Sequence, residues 1–331
     1  MSDPLRQSLP ASPLSVAFEP PCAGLAEAPG VLAVVGFGPG APAERRSGIQ
    51  VGLDRLDDGA LVEVWRGDGL VEHGQDGEIR YAGNDDYLFG TLAVDERAHG
   101  DIRAAAEFAY RQLLAFQQRA GKPLLLRLWN YFSAITDGVG DQQRYRQFCV
   151  GRVQALAGFP GQVLPAATAI GRRDTSGTLL LYWLAARHAG IGIENPRQLS
   201  ASRYPRQYGP VAPRFARATL TAAGQLLISG TASIVGHASH HLGQVSAQLS
   251  ETLTNITALL REASRLDHRV PAELNQSSRL KVYLRHPADL PMVRGWLAER
   301  LPVACQCLFL VGDICRDDLL VEIEGVHGPA A

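Results

Sequence analysis

Residues 101–132, DIRAAAEFAYRQLLAFQQRAGKPLLLRLWNYF, decide the architecture. Ala105, Phe108, Ala109, Leu113 and Phe116 recur at helical spacing, so Asp101–Ala120 is expected to be an amphipathic helix. Gly121-Lys122-Pro123 ends it, and Leu124–Phe132 reads as a strand. Ahead of this unit the chain reads as strands and turns. These are Val31–Gly38, closed by Gly-Pro-Gly at 38–40; Leu61–Arg66, stopping at Gly67-Asp68-Gly69; and Tyr87–Val94. Behind it come a second amphipathic helix, Asp141–Ala157 with Gly158 as its cap, and strands at 165–171 and 178–186. The second half repeats the order: strands Ala216–Leu220 and Gln225–Val235, helix His240–Arg265, strand Leu280–Arg285, helix Ala288–Leu301, then strands Leu308–Val311 and Leu319–Val326. Such a repeat is solved by an α+β fold with helices on one face of each sheet. Gly36–Gly40 (GFGPG) has no helix after it, so it reads as a turn and not as a phosphate loop.

The 331 residues are 46% hydrophobic and 20% charged, enough for one large or two ordinary domains. A net charge of −1 gives no long-range attraction for nucleic acid or an anionic membrane, so an anionic ligand must be held by local arginines. No apolar run reaches the roughly 18–20 residues that cross a bilayer, and the start lacks a signal-peptide pattern. Residues 1–14 read as a disordered lead-in. Cys22, Cys149, Cys305, Cys307 and Cys315 are odd in number and scattered, as expected of reduced thiols in a cytoplasmic protein. The Cys305/Cys307 pair has no second pair to complete a zinc site.

Four segments are polar where packing alone does not require it. Tyr145, Cys149 and Arg152 share one helix face, which suits a cleft or a solvated surface. Asn195–Pro210 (NPRQLSASRYPRQYGP) is a proline-braced loop rich in Arg and Tyr, and Arg217 follows it. Arginine matches carboxylates with two parallel donors, whereas the same interleaving with aromatics would also suit RNA. Ile228–His241 combines small residues, which let a ligand approach the backbone, with His237, His240 and His241. His237 and His241 are spaced like helical metal ligands, but no third ligand is fixed by spacing, so no metal is expected. Finally, Glu322 and Glu324 share one face of the last strand, opposite Val321 and Ile323. By pattern alone this is a solvent-facing strand; if buried, its carboxyl is a candidate general acid.

Together these segments resemble the chorismatase family, enzymes that act on chorismate in bacterial secondary metabolism. The matching stretches are WN at 129–130, RYRQFCVGR at 144–152, NPRQLSASRYPRQYGP at 195–210, SGTASIVGH at 229–237 and VEIEG at 321–325, in the family's order. The first 120 residues match only loosely. The resemblance implies two RidA/YjgF-like (chorismate mutase-like) halves, at 15–190 and 191–331, behind an N-terminal β-rich extension. It implies Tyr145, Arg152, Tyr208 and Arg217 as holders of the two substrate carboxylates, Glu322 as catalytic acid, and no cofactor. Cys315, seven residues before Glu322, marks the 3-hydroxybenzoate formers, whereas Ala232 stands where that group carries glycine. The product implied is 3-hydroxybenzoate plus pyruvate, with 4-hydroxybenzoate as a second product. Hydrolysis to 3,4-dihydroxycyclohexa-1,5-diene-1-carboxylate, a RidA-like imine deaminase and a non-catalytic binder are the alternatives. The chain is expected to act as a monomer or homo-oligomer.

Overall fold

A computed structural model describes residues 14–38, 47–57, 59, 61–157 and 164–328. The expected lead-in, Leu14 excepted, lies outside the described residues, as do Pro39 and Gly40 of the first turn and the Gly158 cap. Four strands, β1 (Leu14–Glu19), β2 (Val31–Gly36), β3 (Gly48–Gln50) and β4 (Val62–Gly67), form an N-terminal sheet in the order β1-β4-β2-β3.

Next come β5 (Glu72–Asp76), β6 (Ile79–Gly83), β7 (Tyr87–Asp95), the short α1 (Glu96–His99), α2 (Ile102–Arg119), β8 (Leu124–Ser133), α3 (Arg144–Ala157), β9 (Ala166–Arg172) and β10 (Thr178–Ala186). The second half holds β11 (Ile191–Ile193), β12 (Ala218–Leu220), β13 (Leu226–Ala232), β14 (Ile234–Val235), β15 (Ala238–Ser239), α4 (Val245–Leu266), β16 (Arg279–Leu284), α5 (Leu290–Ala298), β17 (Gln306–Val311) and β18 (Val321–His327). The two six-stranded sheets run β5-β6-β7-β10-β8-β9 and β11-β12-β13-β18-β16-β17. Position for position these orders are the same, and each ends in a parallel pair, β8/β9 and β16/β17. The α+β fold of two like halves behind a β-rich extension is therefore what the chain adopts.

Period-two alternation explains the layers. Leu128, Leu179, Leu181 and Trp183 pack under α2 and α3, while Trp129, Tyr131, Tyr182 and Leu184 point the other way. In the second sheet Leu280, Val282, Val321 and Ile323 pack under α4 and α5, while Tyr283 and Val326 point the other way. The two helix-free faces meet in one core, which the N-terminal sheet closes with Val35 and Trp65. At the seam β9 lies along the second sheet: Ala166 N–H donates to Thr219 Oγ1 at 2.8 Å and Ala167 N–H to Ser229 Oγ at 2.9 Å.

Several expectations are corrected. The long helix begins at Val245 and not at His240, because His241 (φ 58°) and Gly243 (φ 71°) are left-handed and break helical geometry. His237 sits in the β14/β15 turn, so His237 and His241 are not one turn apart on a helix. The expected strand Gln225–Val235 is interrupted: its ladder with β18 slips between Ile228 and Thr231, and the chain then leaves the sheet as the β14/β15 ribbon. The helix expected from Asp141 starts at Arg144, after a separate 3-10 turn at Gly140–Gln142. Glu322 and Glu324 do not face solvent; both are buried.

Helices α2 and α3 cross closely at Gly151, where an added Cβ would lie 2.0 Å from the Arg103 carbonyl oxygen. Gly→Ala inside a helix ordinarily stabilises by about 0.5–1 kcal/mol, but overpacking costs about 1–3 kcal/mol. Gly151→Ala is therefore expected to lower the denaturant midpoint. A raised midpoint would contradict this packing.

Candidate active site

The site is built on the inner face of β18. Val321 and Ile323 are committed to the core beneath α4, so Glu322 and Glu324 must turn into the space between the sheets. Their surroundings differ. Glu324 accepts hydrogen bonds from Tyr283 Oη at 2.7 Å and Trp129 Nε1 at 3.0 Å, and pairs with Lys281 Nζ at 2.7 Å. Arg127 and Thr168 donate to it as well. Burial opposes its ionisation, yet Lys281 and Arg127 overcome that cost and hold its pKa at about 2. Lys281 is shared with Glu63 at 2.8 Å, which closes a buried set of two cations and two anions.

Glu322 has no ion pair and no side-chain hydrogen bond among the described residues, and only 5% of its surface is exposed. Burial first, and the charge of Glu324 second, push its pKa up to about 8, against the pull of Arg127, Arg217 and Arg285. Two carboxyls on one strand face thus differ in protonation near neutrality, as an acid and a fixed anion. The bulged β13 lets the backbone come close: a Cβ at Gly230 would fall 2.0 Å from Glu322 Oε1. Only glycine leaves room there for the carboxyl, which is what the small-residue stretch of sequence signals.

Glu322 forms part of the wall of a cleft of about 430 Å³, within the size range of small-molecule sites. Tyr145, Tyr208, Arg217, Ala232 and Cys315 line the same cleft. An inner recess of about 40 Å³ shares Tyr145, Cys315 and Glu322 with it and adds Arg152 and Asn130. All seven residues singled out from the sequence therefore converge, from α3, the 195–217 segment, β13 and the end of the chain. Both arginines are buried and neither has a carboxylate partner among the described residues. The Arg217 guanidinium donates to the Leu199 carbonyl at 2.9 Å and Tyr204 Oη at 2.8 Å, and Arg152 lies over the Tyr110 ring at 5.1 Å. The Nε of each is buried without a partner. A buried cation without an anion is costly, and an anionic ligand would satisfy both.

Tyr145 and Cys315 are neutral donors. Burial raises the Tyr145 phenol well above its ordinary value, and burial followed by the Glu322 charge pushes Cys315 up to about 12. Tyr208 Oη meets His237 Nδ1 at 3.2 Å, so this histidine braces the loop. His241 pairs with Glu251 at 3.2 Å. Among the described residues no cluster of His, Cys, Asp or Glu is arranged to hold a metal, and no helix is long and apolar enough to cross a membrane.

The sequence missed Arg316, Phe215 and Gln198 as cleft walls, and Thr168 behind Glu322. Arg316 stacks on the Tyr208 ring at 4.1 Å and donates to the His237 carbonyl at 2.9 Å. Its place directly after Cys315 was the available signal.

A buried carboxyl with a raised pKa, beside guanidinium groups that have no carboxylate partner among the described residues, makes a cleft whose chemistry suits a small anion. The chain belongs to the chorismatase family. The family model described as "Chorismatase FkbO/Hyg5-like, N-terminal" matches residues 63–185. A chorismatase of Streptomyces hygroscopicus is 41% identical over 280 residues, covering 82% of this chain and 80% of that protein. A 3-hydroxybenzoate synthase of the same species is 37% identical over 279 residues, covering 80% of this chain and 81% of that protein. A crystal structure of a chorismatase superposes with a TM-score of 0.86 at 36% identity, covering 97% of this chain and all of the other.

The raised pKa of Glu322 has a consequence for stability. Between about 4.5 and about 8 the folded chain keeps a proton on Glu322 that the unfolded chain has released. This contribution is full below the unfolded value and is lost as pH rises through the folded one. Glu322→Gln lacks it, so its Tm relative to wild type is expected to climb with pH across that window. A difference that stays flat would show that Glu322 is ionised throughout.

Proposed function

We propose that this protein converts chorismate to 3-hydroxybenzoate and pyruvate, with Glu322 as the general acid. The observation that carries this reading is Glu322 itself: a carboxyl with no ion pair among the described residues, pKa about 8, in the wall of a cleft with Arg217, which has no carboxylate partner among those residues. The names of the relatives, chorismatase and 3-hydroxybenzoate synthase, support the substrate and the product.

Chorismate is a dianion with an enol ether at ring C3 and a hydroxyl at C4. Arg152 with Tyr145, and Arg217 with Tyr208, would hold its carboxylates and orient the enol ether toward Glu322. The enol methylene is weakly basic. Glu322 donates its proton there, the methylene becomes a methyl group, and an oxocarbenium ion forms. The carboxylate left behind sits next to the cation and stabilises it. The C4 hydroxyl adds to the cationic carbon and loses its proton, closing a bicyclic ketal. The C4–O bond then breaks, C3 loses its proton and the ring aromatises, and the resulting hemiketal alkoxide collapses by breaking its bond to the C3 oxygen. The C3 oxygen stays on the ring and takes up a proton as the phenol, and the C4 oxygen leaves as the pyruvate carbonyl, so no net water is consumed. Breaking the C3–O bond instead keeps the C4 oxygen and gives 4-hydroxybenzoate. Addition of outside water gives pyruvate and the dihydroxy-diene acid. The neutral thiol of Cys315, half-buried beside Glu322, would stand near the ring hydroxyls and steer the cation toward aromatisation.

Two measurements test this. Glu322→Gln is expected to lose pyruvate release by about 10²–10⁴-fold while its Kd for chorismate stays within a few-fold. Turnover within about tenfold of wild type would remove Glu322 from the acid's role. Cys315→Ala is expected to raise the share of the dihydroxy-diene acid on chromatography, and an unchanged product ratio would rule out the thiol's part.

A further inference from the structure

The proposed chemistry uses Glu322 and leaves a second buried carboxyl, Glu324, without a task. Glu324 lies two residues along the same strand face, about 6.6 Å away along the strand. A neutral hydrogen-bonding side chain or an apolar pair would fill its place with less desolvation. Instead a full negative charge is held there by Lys281, Arg127, Tyr283, Trp129 and Thr168.

The arrangement is directional. Across the ladder Lys281 stands opposite Glu324, whereas Tyr283, a neutral phenol, stands opposite Glu322. Lys281 is further drawn to Glu63 at 2.8 Å. Thr168 lies between the two carboxyls: its Oγ1 donates to Glu324 and accepts the Gly230 N–H at 3.0 Å, and Gly230 approaches the Glu322 carboxyl without a hydrogen bond to it. The other charged or titratable groups facing Glu322 are Arg127 from β8, Arg217 ahead of β12, Arg285 after β16, and Cys315. Tyr145 and Arg152 on α3 share the recess, Tyr208, Arg316, Asp317 and Asp318 line the outer cleft, and β13 contributes Gly230 and Ala232. Arg285 is occupied by Asp313 at 3.3 Å and by backbone carbonyls. Glu324 is the anion whose charge acts on Glu322.

We propose that Glu324 is a positioning residue for the catalytic proton: its locked charge, with Thr168 between, keeps Glu322 protonated against the cations that bind substrate. This rests on the reading of Glu322 as proton donor. Arginines strong enough to hold a dianion would otherwise draw the proton off the acid beside them, and Glu324 offsets that pull without touching substrate.

The test is the pH profile of kcat for pyruvate release from chorismate. Wild type should lose activity above a limb near the Glu322 value of about 8. Glu324→Gln is expected to move that limb about 1–2 pH units toward acid, with activity at the acid end retained. Glu324→Asp should restore the limb. Should the single variant fold poorly, Glu324→Gln combined with Lys281→Met removes the same anion while keeping the core's charge balanced, and the same shift is expected. A merely structural role would lower kcat equally at every pH and leave the limb in place, which overturns the proposal. The pH dependence of Tm, taken relative to Glu322→Gln, separates the two levels. If wild type shows no Glu322 titration near that limb, the proton-donor reading fails. If it does, and removing Glu324 leaves it unmoved, only the role of Glu324 fails.

Discussion

Desolvation of the inner face of β18 governs the rest of the molecule. Two helix-bearing sheets turn their bare faces toward each other, and Trp65, Trp129, Tyr131 and Tyr182 fill the space with almost no water access. A carboxyl placed there either acquires cations or keeps its proton. Glu324 takes the first course, with Lys281 and Arg127, and Glu322 takes the second. The same dry space therefore yields one permanent anion and one retained acid. Their separation depends on how the cations are distributed: Lys281 pairs with Glu324 and Glu63, and Glu322 has no ion pair among the described residues.

The site also keeps features that stability alone would remove. Among the described residues Arg152 and Arg217 are buried without carboxylates, each with an unpartnered Nε, and Glu322 is buried without a donor. Such groups cost free energy in the empty protein. On the proposed function they would be complementary to a small molecule with two negative charges and a weakly basic atom between them. The bulge on β13 and the lack of a side chain at Gly230 let the strand approach Glu322 without a clash.

Much of this was legible in the sequence. The helices α2 and α4 and the strands β7, β8 and β10 carry clear periodicities, because each buries one or both faces in a core of its own half. β5 (EHGQD) is exposed along most of its length and has no apolar alternation to read, so it was invisible. The break after Ala232 was hidden because Ser233 alone separates β13 from the apolar β14 without a turn signal, and left-handed His241 gives no sign that the helix is delayed. By pattern Glu322 and Glu324 read alike, and only the family resemblance singled out Glu322 as the acid. The Glu324 partners Arg127 and Lys281 lie 197 and 43 residues away in sequence, on strands where a lone charge suggests a solvent face. Only tertiary structure brings them together.

The account stands on the protonation of one carboxyl in the resting protein. Isotope-edited infrared difference spectroscopy of wild type against Glu322→Gln, at neutral pH and without substrate, reads it directly. The account requires the carbonyl band of a protonated carboxylic acid in wild type that is missing from the variant. A carboxylate band in its place would mean that Glu322 is already ionised and has no proton to give.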